Sequence, residues 1–234
     1  MTKVHVLSAG AAKGLVLALQ EPFSKAHGTE FDSTFGAVGA IREKLLAGEP
    51  CDVIILTQAI IDALATEQRV RADTVAPLGR VYTGIAVPST QPVPEIDDEE
   101  RLRGALLNAQ GIYLPDPERA TAGIHFANVL RALGIHDQVR ERLRPFPNGA
   151  LAMRGMADAG EPDLIGCTQV TEINYTYGVT LVGVLPSRFE LATTYSVAVT
   201  SGAGEPALAH EFALMLTGKD SMALRSEGGF VLGR

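Results

Sequence analysis

The chain has 234 residues, 46% of them hydrophobic and 20% charged, so it can bury one large α/β core or two smaller lobes and is too apolar to be disordered. Its 20 Lys and Arg stand against 27 Asp and Glu, and the formal charge of −7 excludes general nucleic-acid affinity, which depends on cations neutralising phosphates. Cys51 and Cys167 lack a CxxC spacing, which leaves a metal cluster or redox pair without support and predicts two buried thiols.

The N-terminus enters a strand pattern at Lys3 with no apolar h-region or cleavage site, and no window approaches the roughly 18 apolar residues that span a bilayer. The sequence as written is therefore expected in the cytoplasm, and in the periplasm if a leader once preceded it. Lys3 to Leu7 reads as the first strand. A Gly-containing turn follows, then a helix from about Ala11 to Lys25 with Leu15, Leu19 and Phe23 on one face, ended by His27-Gly28. A second strand over Glu30 to Phe35 passes through Gly36-Ala37-Val38-Gly39 into a helix carrying Ile41 and Leu45.

The run Val53-Ile54-Ile55-Leu56 predicts a buried parallel strand, and Thr57 offers a capping hydroxyl to a helix over Ala59 to Ala65. Arg80 to Val87 is another strand, and the Pro-rich, acidic stretch from Pro88 to Glu100 reads as a surface connection. The rhythm then restarts. Gly111 to Leu114 is a strand, Pro115-Asp116-Pro117 breaks it, and a helix from Ala122 to Leu133 turns Phe126, Leu130 and Leu133 inward. A short helix beyond Asn148-Gly149, strands over Asp163 to Cys167, Val179 to Leu185 and Tyr195 to Thr200, and an amphipathic segment from Ala207 to Leu216 complete the reading. The class is α/β with a mostly parallel sheet. Two such units, 1–83 with 196–234 and 84–195, joined by crossing strands, would leave a cleft of the kind that holds ligands.

A Gly-rich turn between strand and helix exposes unpaired N–H groups at the positive end of the helix dipole and suits an anion. Ser8 to Gly14 has this form, with Ser8, Gly10, Ala11 and Lys13 as candidates; it lacks both GxGxxG and GxxxxGK[ST], so its spacing gives no support to a nucleotide or dinucleotide site. Taken singly it is equally an ordinary α/β turn, which also needs small residues. Similar turns recur at Ala37-Val38-Gly39, Thr57, Thr121-Ala122 and Asn148, each of which could instead cap its own helix, and Arg80 adds a cation to the set. Lys13 sits at the start of a helix, a poor place for a cation unless an anion compensates.

Enzyme motifs are absent: there is no GxSxG or HExxH, the five histidines show no metal-ligand spacing, and neither a metal nor a cofactor is expected. Glu172, near Gln169 and Thr171, is a candidate proton-transfer group if it faces a cleft and a solvated glutamate if it does not.

Several segments together, namely Leu7-Ser8-Ala9-Gly10-Ala11 with Lys13, Phe35 to Ile41, Leu46-Ala47-Gly48-Glu49-Pro50-Cys51-Asp52-Val53, Asp116-Pro117 through Ala122-Gly123, and Gly178-Val179 to Pro186, resemble the periplasmic molybdate-binding proteins of the bacterial extracellular solute-binding superfamily. The resemblance runs nearly end to end. It implies a two-lobed type II periplasmic-binding-protein fold with crossing hinge strands, an oxyanion held in the interlobe cleft by hydroxyls and backbone N–H groups, and an ABC transporter permease as partner if the chain is exported. Where molybdate binders carry serines, this chain has Ala11 and the Ala37-Val38-Gly39 stretch, and the position of their site tyrosine falls at Gln169. Gly166 to Ile173 and Val182 to Pro186 are more similar to a divergent branch that includes aconitate isomerase, an enzyme on the same fold. Binding of a small oxyanion or carboxylate is the expectation, with proton transfer on a small polycarboxylate as its alternative.

Overall fold

The short apolar runs and helical periods fold in the order in which they occur, in a computed structural model that describes residues 2–233. Strand β1 (Thr2–Ala9) ends in a 3-10 turn at Gly10–Ala12, and α1 (Lys13–His27) follows, closed by Gly28 in the left-handed region at φ 63°. Strand β2 (Thr29–Gly36) leads into α2 (Val38–Leu46), and β3 (Val53–Thr57) into α3 (Gln58–Thr66). Strand β4 (Ala76–Pro88) is followed by α4 (Glu99–Asn108), β5 (Gly111–Pro115), α5 (Thr121–Ala132), α6 (His136–Val139), β6 (Leu143–Phe146) and α7 (Gly149–Asp158). Strand β7 (Leu164–Gln169) runs straight into α8 (Val170–Tyr175); β8 (Val179–Val184), β9 (Ala192–Val199), α9 (Pro206–Thr217) and α10 (Met222–Gly228) complete the chain. Among the described residues no helix is long and apolar enough to cross a membrane.

Two units result, one reaching Val81 and resuming at Thr193, the other running from Tyr82 to Ala192, so the chain leaves the first within β4 and returns within β9. In the first unit the strand order is β2-β1-β3-β9, parallel except for β9. Ser8 of β1 lies opposite both Phe35 of β2 and Ile55 of β3, so three parallel strands end level with one another and α1, α2 and α3 all start from one sheet edge. The run Val53 to Leu56 is fully buried, as expected of a strand covered on both faces. Phe23, Phe31 and Phe212 pack ring against ring at 4.7–5.6 Å between centroids, which fastens α1 and β2 to α9.

In the second unit β7 lies between β4, antiparallel to it, and β5, parallel to it; β6 continues beyond β5 and β8 pairs with β4. Leu102, Leu106, Phe126 and Leu130 of α4 and α5 cover one face with Ile112 and Ile165, and Ala152, Met153, Met156 and Ile173 of α7 and α8 pack with Ala86, Tyr113 and Leu164 in a second cluster. Gly166 makes the second cluster possible, since a Cβ there would stand 2.5 Å from Met153 Cε.

The structure departs from the sequence reading in a few places. The connection expected over Pro88 to Glu100 is cut short by α4, whose start at Glu99 is capped by the Asp98 carboxylate accepting from the Arg101 N–H at 2.8 Å. Cys167 is fully buried as expected, but Cys51 is only half-buried, its thiol donating to the Val53 carbonyl at 3.3 Å, because it lies in the loop ahead of β3. Desolvation pushes the Cys51 thiol up to about 12 and raises Cys167 as well, which keeps both protonated at neutral pH.

Asp52, only 2% exposed, ties the first unit together. Its carboxylate accepts from the N–H groups of His5 (2.7 Å), Gly204 (2.7 Å) and Glu205 (3.1 Å), joining β1 to the start of α9. Asp52→Ala leaves those donors buried and unpaired and should lower unfolding free energy by about 3 kcal/mol, read from urea denaturation; a loss below about 1 kcal/mol would show that water replaces the carboxylate.

Candidate functional site

Each unit holds its own share of the candidate residues. In the first, the N-terminal caps are Ala9 for the 3-10 turn, Ala12 for α1, Ala37 for α2 and Thr57 for α3, and none of them gives its helix a side-chain cap. Alanine has nothing to offer, and the Thr57 hydroxyl does not make the bond the sequence allowed it. No side chain caps the three helices that start from one sheet edge, although the Lys13 N–H that opens α1 donates to the Gly10 carbonyl of the preceding 3-10 turn. Gly10, Ala11, Ala37 and Val38 are buried, and Gly39 and Thr57 half-buried. Ser8 is fully buried and its hydroxyl donates to the Ala9 carbonyl at 3.0 Å. Lys13 is the first residue of α1, and its ammonium stands 5.8 Å from the centroid of the Phe35 ring at the end of β2, so a cation accompanies these turns. Arg80 is exposed, with its backbone paired to Val231 in the C-terminal segment, and no described contact ties it to the turns.

In the second unit α5 starts behind Ala120, again without a side-chain cap, with Thr121 half-buried and Ala122 buried. Asp116 orders the preceding loop by accepting from the N–H groups of Glu118 (2.8 Å) and Arg119 (3.1 Å). Gly123 lets α5 close on the end of β5, because a Cβ there would overlap the carbonyls of Pro115 and Asp116. The turn before α7 differs. Asn148 caps its own helix, accepting from the Leu151 N–H at 2.9 Å, and the Glu172 carboxylate lies against Gly149, where any Cβ would overlap it. Thr168 donates its hydroxyl to Glu172 at 2.5 Å, and the backbone N–H groups of Gly149, Ala150 and Gln169 act on the same carboxylate. The start of α7 thus already has an anion, supplied by the chain itself. Glu172 is 6% exposed, neither solvated nor unpaired, and burial raises its pKa against the opposing pull of those donors.

Gln169 ends β7 at 3% exposure, and its side-chain oxygen and nitrogen both lack a hydrogen-bond partner among the described residues. Thr83 is its direct partner in the β4–β7 register, and Thr171 is two residues on; at 1% and 6% exposure, their hydroxyls are likewise without a partner. Sequence reasoning passed over Thr83 because a threonine in a strand has no local mark, and only the register puts it beside Gln169. No group of His, Cys, Asp and Glu that could hold a metal occurs among the described residues.

Residues 4–231 match the family model for bacterial extracellular solute-binding proteins. The chain belongs to that family. It is 26% identical to an aconitate isomerase from a Pseudomonas species, over 98% of this chain and 87% of that protein, and 24% identical to the molybdate-binding protein ModA of Escherichia coli K12, over 86% and 78%. Its fold is that of the periplasmic molybdate-binding protein of Azotobacter vinelandii, with a TM-score of 0.79 at 18% identity, covering 99% of this chain and all of that one. The type II periplasmic-binding-protein architecture expected from the sequence is therefore correct.

The position of Glu172 has a pH signature. Its pKa is raised above the ordinary value of 4.5, so as pH climbs past that value the unfolded chain loses its proton first, and native stability falls until the folded-state pKa is passed. Urea denaturation between pH 4 and 8 should show this fall in the wild type and a flatter profile in Glu172→Gln; identical slopes would mean that the four donors fully offset burial.

Proposed function

We propose that this solute-binding family member takes a small oxyanion or carboxylate, the charge being met by the amide groups at Gly10–Ala11, Ala37–Val38–Gly39 and Thr57 in the first unit and at Thr121–Ala122 in the second, with Lys13, Ser8 and Gln169 assisting. The observation that carries the reading is that three uncapped helices, α1, α2 and α3, start together from one edge of parallel strands with the Lys13 ammonium beside them, a position that the other uncapped helices, α6, α8, α9 and α10, do not share. Asn148, with Glu172 beside it, drops out of the ligand set, and so does Arg80. The same reading has the working protein in the periplasm, passing its ligand to the permease of an ABC transporter.

Similarity to an aconitate isomerase along nearly the whole chain favours one second reading, proton transfer on a small polycarboxylate. Glu172 is the group available for it, a buried carboxylate with a raised pKa.

Melting curves with molybdate, tungstate, sulfate, citrate and the two aconitates test the first reading. A ligand at a hundred times its dissociation constant adds about 2.7 kcal/mol to native stability, so at least one of these anions should raise Tm clearly, and none doing so would overturn it. Lys13→Ala should weaken that ligand by roughly tenfold, equal to about 1.4 kcal/mol, without lowering the Tm of the free protein. NMR of cis- and trans-aconitate incubated with the protein decides the second reading: interconversion establishes it, and unchanged spectra remove it.

A further inference from the structure

The charge of an anion calls only for donors, and backbone N–H groups supply nothing else. The patch around Gln169 is chemically different. A carboxamide offers two N–H donors and one carbonyl acceptor, and both its ends are unpartnered here at 3% exposure. Exchanging the amide oxygen and nitrogen does not change this, since one buried acceptor remains in either orientation. The hydroxyls of Thr83 and Thr171 rotate and can present donors to an anion, but neither bonds to Gln169, as both are themselves unpartnered among the described residues. Buried polar groups almost always find a partner, so three without one, two of them paired in the β4–β7 register and the third two residues on in α8, mark a place where a ligand completes the bonding.

Molybdate and sulfate, as dianions, have only acceptor oxygens. One of them against this patch would satisfy the amide nitrogen and both hydroxyls while turning its negative oxygens toward the Gln169 carbonyl, which would stay unpaired and repelled. A ligand that carries a hydroxyl beside its carboxylates removes the conflict by donating that hydroxyl to the carbonyl. We propose that the ligand of this chain is a small hydroxycarboxylate, and that Gln169 is the residue that selects its hydroxyl, with Thr83 and Thr171 donating to a neighbouring carboxylate oxygen. This rests on the anion-binding reading and narrows it. A site built to bond a hydroxyl discriminates against the analogue that lacks it, because its buried polar group is then left without a partner.

Calorimetric titration of the wild-type protein with matched pairs, malate against succinate and citrate against tricarballylate, isolates the hydroxyl, with molybdate and sulfate as purely accepting anions. The hydroxylated member of the pair that binds should be tighter by about tenfold or more and tighter than either inorganic anion. In Gln169→Leu that ratio should fall toward one. Equal affinities within the pairs, or molybdate or sulfate binding more tightly than every hydroxy acid, would overturn the hydroxyl selection and leave the anion-binding reading standing. Failure of all six compounds to bind would overturn this proposal, and the anion-binding reading falls with it where tungstate and the two aconitates also leave Tm unmoved. A hydroxyl preference that persists in a folded Gln169→Leu protein would remove Gln169 from the selecting role.

Discussion

Every helix that follows a strand begins with amide groups that the helix itself cannot satisfy, and the way each such debt is met sorts the elements of this chain. Charged side chains meet some of them from a distance. The start of α9 receives the Asp52 carboxylate through the N–H groups of Gly204 and Glu205, and the start of α7 receives Glu172 through Gly149 and Ala150. The far end of α9 is closed by the buried guanidinium of Arg225, which donates to the carbonyls of Thr217 and Gly218 at 2.9 Å and also to Leu78. Negative charge at helix starts and positive charge at a helix end is the arrangement the dipole favours. These buried charges are therefore spent on backbone ends, which is how they avoid the desolvation cost of an unpaired ion.

Against that background the starts of α1, α2 and α3 are set apart by position, since they leave one sheet edge together and no side chain caps them; α5 is uncapped too, as are α6, α8 and α10 elsewhere. In the first unit their common position follows from strand direction. Parallel strands with matched ends must release their helices from the same edge, so Ala9, Gly36 and Thr57 end neighbouring strands and three dipoles begin together. Like-signed helix ends placed side by side repel unless something negative is near them, and no side chain caps them there. The Lys13 ammonium lies against the Phe35 ring at the same edge.

How much of this was legible in the sequence depended on range. The strand ends and the turns that follow them could be read locally, since Val53 to Leu56 has the composition of a strand buried on both faces and Gly28 the chemistry of a left-handed helix cap. Helix α4 was hidden because its acidic start, Glu99 and Glu100, continues the acidic Pro-rich stretch before it, and its fully buried side chains are Leu102 and Leu106 alone. The fate of Glu172 could not be read at all. Its partners Gly149 and Ala150 lie on a different helix, more than twenty residues away in sequence, and the same glutamate would be solvated if α7 packed differently. Asn148 takes the capping role that the sequence offered it, and Arg80 carried no local sign that its backbone would pair with the C-terminal segment.

Alanine at positions 9, 11, 12 and 37 has a consequence for selectivity. Serine hydroxyls at such turns could rotate, donate or accept, and so could be matched to the shape of one ligand. Backbone amides are fixed in direction and only donate, so turns built from alanine and glycine supply attraction for negative charge without distinguishing one anion from another. Discrimination must then come from side chains with both donors and acceptors. Ser8 and Thr57 are such side chains in the first unit, and in the second the buried hydroxyls and carboxamide of Thr83, Thr171 and Gln169 are without a partner among the described residues, where burial makes an unmatched group costly.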